Sequence, residues 1–344
     1  MSKMSEAGGA DGSARPAAPL PNTAALGETS LAPGDYEQLG RRLGKSRLRQ
    51  RLNTQVYHAA GEAHQEEILF GLGRVVEIDA LVERLARLLG IYRWGRNNFL
   101  GLRLVEHRIR HPRLPAGLEG LTLLQLSDLH LDLDPALGAV IRDRLRGVDY
   151  DVAVITGDFR NKTCADQEPS VMETVTLLAA LRGPVYGVLG NHDFIEIVLP
   201  LERAGLRFLL NEAVEIRHCG GAFHLGGVDD PNFYKTHDLA GVRDAIPDDA
   251  FSVLLCHSPE TWREAAGHGF DLMLSGHTHG GQICLPGGYA LIKVCDVPRR
   301  LLAGAWEHQG MLGYTSVGTG ACGVPLRYFC PPEITLHCFE RAGG

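Results

Sequence analysis

Five apolar runs of strand length, each breaking off abruptly into polar residues, constrain this chain more than any other feature. They are "LTLLQLSDLH", "DVAVITGDF", "PVYGVLGNHD", "FSVLLCHSP" and "DLMLSGHTH", all after residue 118. Continuous rather than alternating apolar runs indicate strands covered on both faces, and segments near residues 135–146, 170–182 and 258–267 supply helices to cover them. The expected class is α/β. In sheets of this kind ligands gather beyond the carboxyl ends of the strands, so the five polar loops are expected to converge on one edge.

Those loops present Asp128, His130, Asp158, Asn191, His192, Asp193, His257, His277 and His279, each able to act as a ligand or proton carrier. Hard oxygens mixed with imidazoles, without a thiolate, suit manganese, iron or zinc better than a soft-metal or purely structural zinc site. His277 and His279 stand one residue apart. On an extended segment they would point to opposite sides of the backbone, poorly placed for one ion but able to reach two. Two ions cannot both be filled by these residues without sharing, so one carboxylate is expected to bridge. Such pairs lie about 3.5–4 Å apart, where a bridging hydroxide is a nucleophile at neutral pH.

Charge divides the chain of 344 residues unevenly, although the formal net charge is only -7. Residues 1–40 carry 2 basic against 5 acidic side chains, residues 41–113 carry 15 against 7, and residues 114–344 carry 17 against 29. Residues 1–34, rich in Ala, Gly, Pro and Ser, read as a disordered tail. Residues 35–113 read as a basic helical extension and linker, in which Val75, Ile78, Val82, Leu85 and Leu89 recur at helical spacing with Gly90 placed to end the helix. Pro112 and Pro115 mark its boundary with a main domain over 114–344. That helix is expected to pack on the main domain or on a second copy of the chain. Arg41, Arg42, Lys45, Arg47, Arg49 and Arg51 are dense enough to attract anionic headgroups at about 1 kcal/mol per charge, so residues 41–113 are a candidate for peripheral membrane contact. The N-terminal stretch lacks the apolar core of a secretory signal, which makes a cytoplasmic location the expectation. The eight cysteines follow no metal or disulfide spacing and read as reduced.

The ordered set DxH, GD, GNHD, a lone His after an apolar strand, and GHxH, spanning residues 128 to 279, resembles the signature of calcineurin-like metallophosphoesterases. The resemblance implies an α/β/β/α sandwich with, here, an N-terminal helical extension. It implies a dinuclear site in which Asp128, His130 and His279 hold one metal, Asn191, His257 and His277 the other, and Asp158 bridges. By the same resemblance His192 is the proton donor to the leaving group, with Asp193 orienting its imidazole. "GHTHGGQICLP" and "SVGTGACGVPLRYFCPPEITL" are similar to the YaeI/YkuE-type branch of bacterial phosphodiesterases, which resembles enzymes that cleave a UDP-linked diacylglucosamine. The implied function is metal-dependent hydrolysis of a phosphodiester or pyrophosphate on a lipid-linked or UDP-linked substrate. Two alternatives are a non-catalytic scaffold on the same fold and a nuclease of the same chemistry. The acidic main domain opposes the nuclease, because it would repel a long polyanion. Arg160, Lys293, Arg299, Arg300 and Arg327 are candidate phosphate contacts, with simple surface charge as the competing reading.

Overall fold

The computed structural model describes residues 31–68, 78–291 and 293–341. Most of the expected tail, together with Val75, lies outside them. Helix α1 (Pro33–Leu43) opens with proline in its first turn and the Asp35 carboxylate accepting from the Ala32 N–H at 2.9 Å. Residues 33 and 34 are therefore helical rather than part of a tail. Helices α2 (Lys45–Ile68), α3 (Ile78–Leu88) and α4 (Tyr92–Leu100) complete the extension. Gly90, at φ 71°, follows α3 where the sequence placed the helix end.

The strands of the main body are β1 (Arg103–His111), β2 (Thr122–Leu126), β3 (Val152–Ile155), β4 (Val185–Gly187), β5 (Leu206–Phe208), β6 (Glu212–His218), β7 (Gly221–Gly227), β8 (Ser252–Leu255), β9 (Leu272–Ser275), β10 (Cys284–Leu285), β11 (Tyr289–Ala290), β12 (Gly304–His308), β13 (Met311–Thr315) and β14 (Glu333–Arg341). Helices α5 (Leu137–Arg144), α6 (Glu168–Leu178), α7 (Val198–Arg203), α8 (Leu239–Asp244) and α9 (Trp262–Gly267) lie between them. One six-stranded sheet runs β1-β14-β2-β3-β4-β5 and the other β12-β13-β9-β8-β7-β6. Strands β2 to β5 are mutually parallel, as are β7, β8, β9 and β13.

Side chains along these strands alternate between two cores, as the pleat requires. Leu123, Val152 and Val154 of the first sheet meet Val253, Leu255, Leu272 and Leu274 of the second. On the outer face of the first sheet, Leu124, Leu126, Ala153 and Ile155 pack against Leu137, Ile141, Val171 and Val198. On the outer face of the second, Leu254 and Met273 pack with Val242 and Trp262. These four layers are the expected α/β/β/α sandwich.

The basic extension is part of this body. Strand β1 pairs in parallel with β14 along its whole length, so the boundary expected at residue 114 falls inside the first sheet. Leu39, Leu43 and Phe99 join the outer core of that sheet, and α3 rests through Val82 and Ala86 on Val324, Leu326 and Tyr328. Its arginines face the acidic domain: Arg42 on Glu202 and Glu212, Arg47 on Asp238, Arg51 on Asp229, Arg96 on Asp134 and Arg113 on Asp271. Three of the six basic residues expected to face headgroups, Arg42, Arg47 and Arg51, are thus committed to internal ion pairs. Their partners lie far away in the sequence, which is why the segment reads as a free basic surface.

Candidate functional site

Every polar loop leaves the C-terminal end of a parallel strand, and the chain turns sharply there. Asp128, His130, Asp158, His277 and His279 all adopt left-handed backbone, with φ of 50°, 42°, 58°, 68° and 49°. For residues other than glycine this costs of order 1–3 kcal/mol each and persists only where surroundings over-determine it. Those surroundings are visible. The Asp128 N–H donates to the Gly157 carbonyl at 2.9 Å, and the His130 N–H to that of Asp158 at 3.1 Å. The His277 N–H donates to Asp128 Oδ1 at 2.9 Å. Glycine is required beside them, because a Cβ on Gly190 would lie 2.1 Å from Asp158 Oδ1 and one on Gly276 1.8 Å from Ser127 Oγ. His277 and His279 are therefore not on an extended segment, as the alternation argument assumed. They occupy a tight turn after β9, and two left-handed residues aim them apart.

The donor atoms gather in two groups that share Asp158. Asp128, His130, Asp158 and His279 bring theirs within 4.8 Å of one another, and so do Asp158, His257 and His277. Asp158 Oδ2 lies 3.7 Å from His130 Nε2 and 3.3 Å from His257 Nε2, while its Oδ1 accepts from the His192 N–H at 2.9 Å. Nε2 of His130 and Nε2 of His279 are 3.3 Å apart. Asn191 Oδ1 sits 3.1 Å from His257 Nε2, which places it beside the second group.

The tautomers follow from the second contact of each ring. His130 Nδ1 faces the Arg160 carbonyl at 2.6 Å, and His257 Nδ1 that of Thr156 at 2.7 Å. A carbonyl can only accept, so both rings carry a proton on Nδ1 and direct Nε2 into the site, the orientation metal-binding histidines adopt. Nε2 of His277 is buried with no hydrogen-bond partner among the described residues. Burial lowers His130 and His277 to about 3, keeping both neutral. Burial alone would raise Asp158, yet the neighbouring His257 and His192 hold it well below the usual carboxylate range. Burial opposes the charge on His257, yet the Asp158 carboxylate, with those of Asp128 and Asp230 behind it, pushes this imidazole up to about 10. An ionised carboxylate beside neutral His130 and His277, the latter with an orphaned nitrogen, is prepared for a divalent cation, which would displace the remaining proton from His257 Nε2. The donor set fits such an ion.

His192 and Asp193 part company. Both carboxylate oxygens of Asp193 are taken up by backbone N–H groups, those of Asp158 and Gly190 on Oδ2 and that of Phe159 on Oδ1, each at 2.8 Å. Asp193 thus builds the Asp158 loop, and the expectation that it orients the His192 imidazole gives way. The partner at His192 Nδ1 is the Asn161 carbonyl, and Nε2 lies 3.8 Å from Cys322 Sγ. Two expected phosphate contacts are also displaced. Arg160 is buried on the Lys162 and Ala165 carbonyls and over Phe194. Arg327, fully buried, donates to the carbonyls of Val317, Gly320, His279 and Cys330. Neither is surface charge; each cross-ties the loops that carry the site. Sequence reasoning also passed over Ser127, whose hydroxyl donates to Asp128 at 2.6 Å, and Cys322, whose sulfur groups with His130 and His279.

Comparison with known proteins agrees with this geometry. The profile of the calcineurin-like phosphoesterase family matches residues 121–281, the span from β2 through the His277–His279 turn. An uncharacterised metallophosphoesterase of Aquifex aeolicus is 31% identical over 280 residues, covering 76% of this chain and 99% of the relative. Two from Bacillus subtilis are similar as well: YkoQ at 31% over 232 residues, 63% of this chain and 83% of the relative, and YkuE at 28% over 251 residues, 68% and 84%. With the four-layer fold, the converging donor loops and this shared length in hand, the chain belongs to the calcineurin-like metallophosphoesterases and is a hydrolase.

Proposed function

We propose that the protein hydrolyses a phosphodiester or pyrophosphate at a dinuclear centre, with Asp128, His130 and His279 on one ion, Asn191, His257 and His277 on the other, and Asp158 between them. The observation that carries this reading is the pair of donor groups sharing the single carboxylate of Asp158. Two divalent ions there would generate a nucleophile from water at neutral pH and neutralise the phosphoryl oxygens. Manganese suits the oxygen and imidazole donors, with iron or zinc as alternatives. Turnover of bis-p-nitrophenyl phosphate with Mn²⁺, abolished by a chelator and restored by the metal, is the expected result. Hydrolysis that persists in chelator would refute it.

His192 is the proposed general acid. Its Nδ1–H donates to the Asn161 carbonyl, so the protonated ring would pass the proton on Nε2, the nitrogen that faces Cys322 Sγ at 3.8 Å, to the departing oxygen. His192→Ala is expected to keep its metals and lose about 10²–10⁴ in kcat; metal analysis and steady-state kinetics on the purified variant check both halves.

We place the substrate among lipid-linked phosphoesters, with UDP-linked lipids included. Support comes from a cavity of about 730 Å³ that begins at His279 and Cys322 and continues between Val82 and Leu85 of α3, with Leu89 just after it, and Leu291 and Val294 beyond the β10–β11 hairpin. A volume of this order suits an apolar ligand of drug or lipid-tail size. At its mouth Leu89 is 68% exposed, Val294 57% and Leu291 55%, a rim of apolar side chains that water alone does not explain. Such a rim suits a cytoplasmic enzyme working at a membrane surface; among the described residues no helix is long and apolar enough to cross one. Leu89→Asp is expected to raise KM for a long-chain lipid phosphodiester at least about tenfold by opposing burial of the chain, while KM for bis-p-nitrophenyl phosphate stays put. An equal change for both substrates would dissociate the cavity from the tail. A nuclease reading would draw on the basic residues of 41–113, and the ion pairs of Arg42, Arg51, Arg96 and Arg113 with the main domain weaken that support.

A further inference from the structure

We propose that the Cys322 thiolate is an additional ligand of the ion held by Asp128, His130, Asp158 and His279, and that it tilts this position toward a softer ion, zinc or ferrous iron, over manganese. The inference rests on the dinuclear reading of the site. Its first observation is placement: Cys322 Sγ and the ring nitrogens of His130 and His279 lie within 4.8 Å of one another. With metal–sulfur and metal–nitrogen bonds of about 2.3 and 2.1 Å, two ligands of one ion stand at most about 4.4 Å apart. A shift of a few tenths of an ångström lets the sulfur share an ion with these two imidazoles, the same two that group with Asp128 and Asp158.

The second observation is that the surrounding nitrogens are aimed at a ligand. His130 is fully buried and its Nδ1 is committed to the Arg160 carbonyl, so its Nε2 lone pair points at the same space as the sulfur. His277, 7% exposed, directs an unpartnered Nε2 into the adjoining group that shares Asp158.

The sulfur is also held in place by a built loop. The Gln282 side chain accepts from the Cys322 N–H at 2.8 Å and donates to the Cys322 carbonyl at 2.9 Å. The next N–H, of Gly323, donates to Asn161 Oδ1 at 2.9 Å. On the other side the Gly320 N–H donates to the Asp128 carbonyl at 2.9 Å, and the Arg327 guanidinium gathers the Gly320 and Val317 carbonyls. Asn161 and Gln282 thus tie Cys322 to the two loops that flank the proposed ions. On binding, the thiol proton leaves to solvent and the sulfur lone pair forms the new bond to the cation. Thiolate favours zinc and iron over manganese, whereas the second position, with Asn191, His257, His277 and Asp158, offers only oxygen and imidazole.

Cobalt(II) added to the metal-stripped full chain under reducing conditions is the test, because a thiolate bound to cobalt gives a near-ultraviolet charge-transfer band that imidazole and carboxylate do not. The band is expected in the native protein and in Cys164→Ser, where an exposed cysteine is removed, and is expected to vanish in Cys322→Ser. Competition in the same samples should show the preference for Zn²⁺ over Mn²⁺ falling about tenfold or more in Cys322→Ser. Cobalt taken up without the band, or a band that survives Cys322→Ser, overturns the inference and leaves the dinuclear reading standing. Failure to take up cobalt at all overturns both.

Discussion

Asp158→Asn is expected to release both ions and reduce kcat by at least about 10³-fold, since the two-metal clamp on the attacking and leaving oxygens is lost together with the charge that holds it. Asparagine is nearly isosteric and keeps an oxygen to accept from the His192 N–H, which Asp158 Oδ1 now does at 2.9 Å. It cannot serve as an anion toward His130 on one side and His257 on the other, 3.7 and 3.3 Å from Oδ2. Asp128 touches only the first group. Asp128→Asn should therefore lower occupancy of one position and leave the other, whereas Asp158→Asn empties both. Metal stoichiometry of the purified variants, read beside kcat, separates these outcomes. Retention of two ions per chain by Asp158→Asn would remove the shared carboxylate from the proposal.

What was legible in the sequence, and what was not, divides by the range of the interactions. The strands β2, β3, β4, β8 and β9 announce themselves because both faces of each are buried locally, and the donor residues stand immediately after them, so the convergence of the loops follows from strand direction alone. The separation of His277 from His279 came out as expected for a different reason. Their left-handed backbone, which no propensity favours for histidine, aims them, and contacts with the Asp128 loop and with Arg327 sustain it. Asp193 was misread because a carboxylate beside a histidine suggests a dyad, whereas its true partners are the backbone N–H groups of residues 158, 159 and 190. Arginine offers a similar trap. Arg160 and Arg327 look like phosphate ligands or surface charge, since a guanidinium is seldom fully buried, and nothing local reveals the ring of carbonyls waiting for each. Strand β1 stayed hidden in a stretch read as linker, because its partner β14 lies at the far end of the chain.

Arg51→Ala is expected to destabilise the protein by about 3–5 kcal/mol, the usual cost of leaving one partner of a buried ion pair without the other. Arg51 and Asp229 are both fully buried. Nη1 lies 2.5 Å from Asp229 Oδ1, Nη2 donates to the Asp193 carbonyl at 2.6 Å, and the guanidinium sits 3.9 Å from the centre of the Tyr234 ring. At roughly 2–4 °C per kcal/mol the melting temperature should fall by about 10 °C. Arg51→Lys should land between, because a point charge can satisfy Asp229 or the carbonyl but does not reproduce the fork. Combining Arg51→Met with Asp229→Leu should recover more than half of the loss, since no unpaired charge is then left in the interior. The loss is expected to reach the site as well. Asp193, whose carbonyl Arg51 holds, is the residue whose carboxylate supports the Asp158 and Phe159 N–H groups, so kcat should fall in Arg51→Ala even at temperatures where the variant is folded. An extension that merely tethered the enzyme would predict neither effect, and a melting temperature within 1 °C of the native value would mean that α2 is dispensable to the catalytic body.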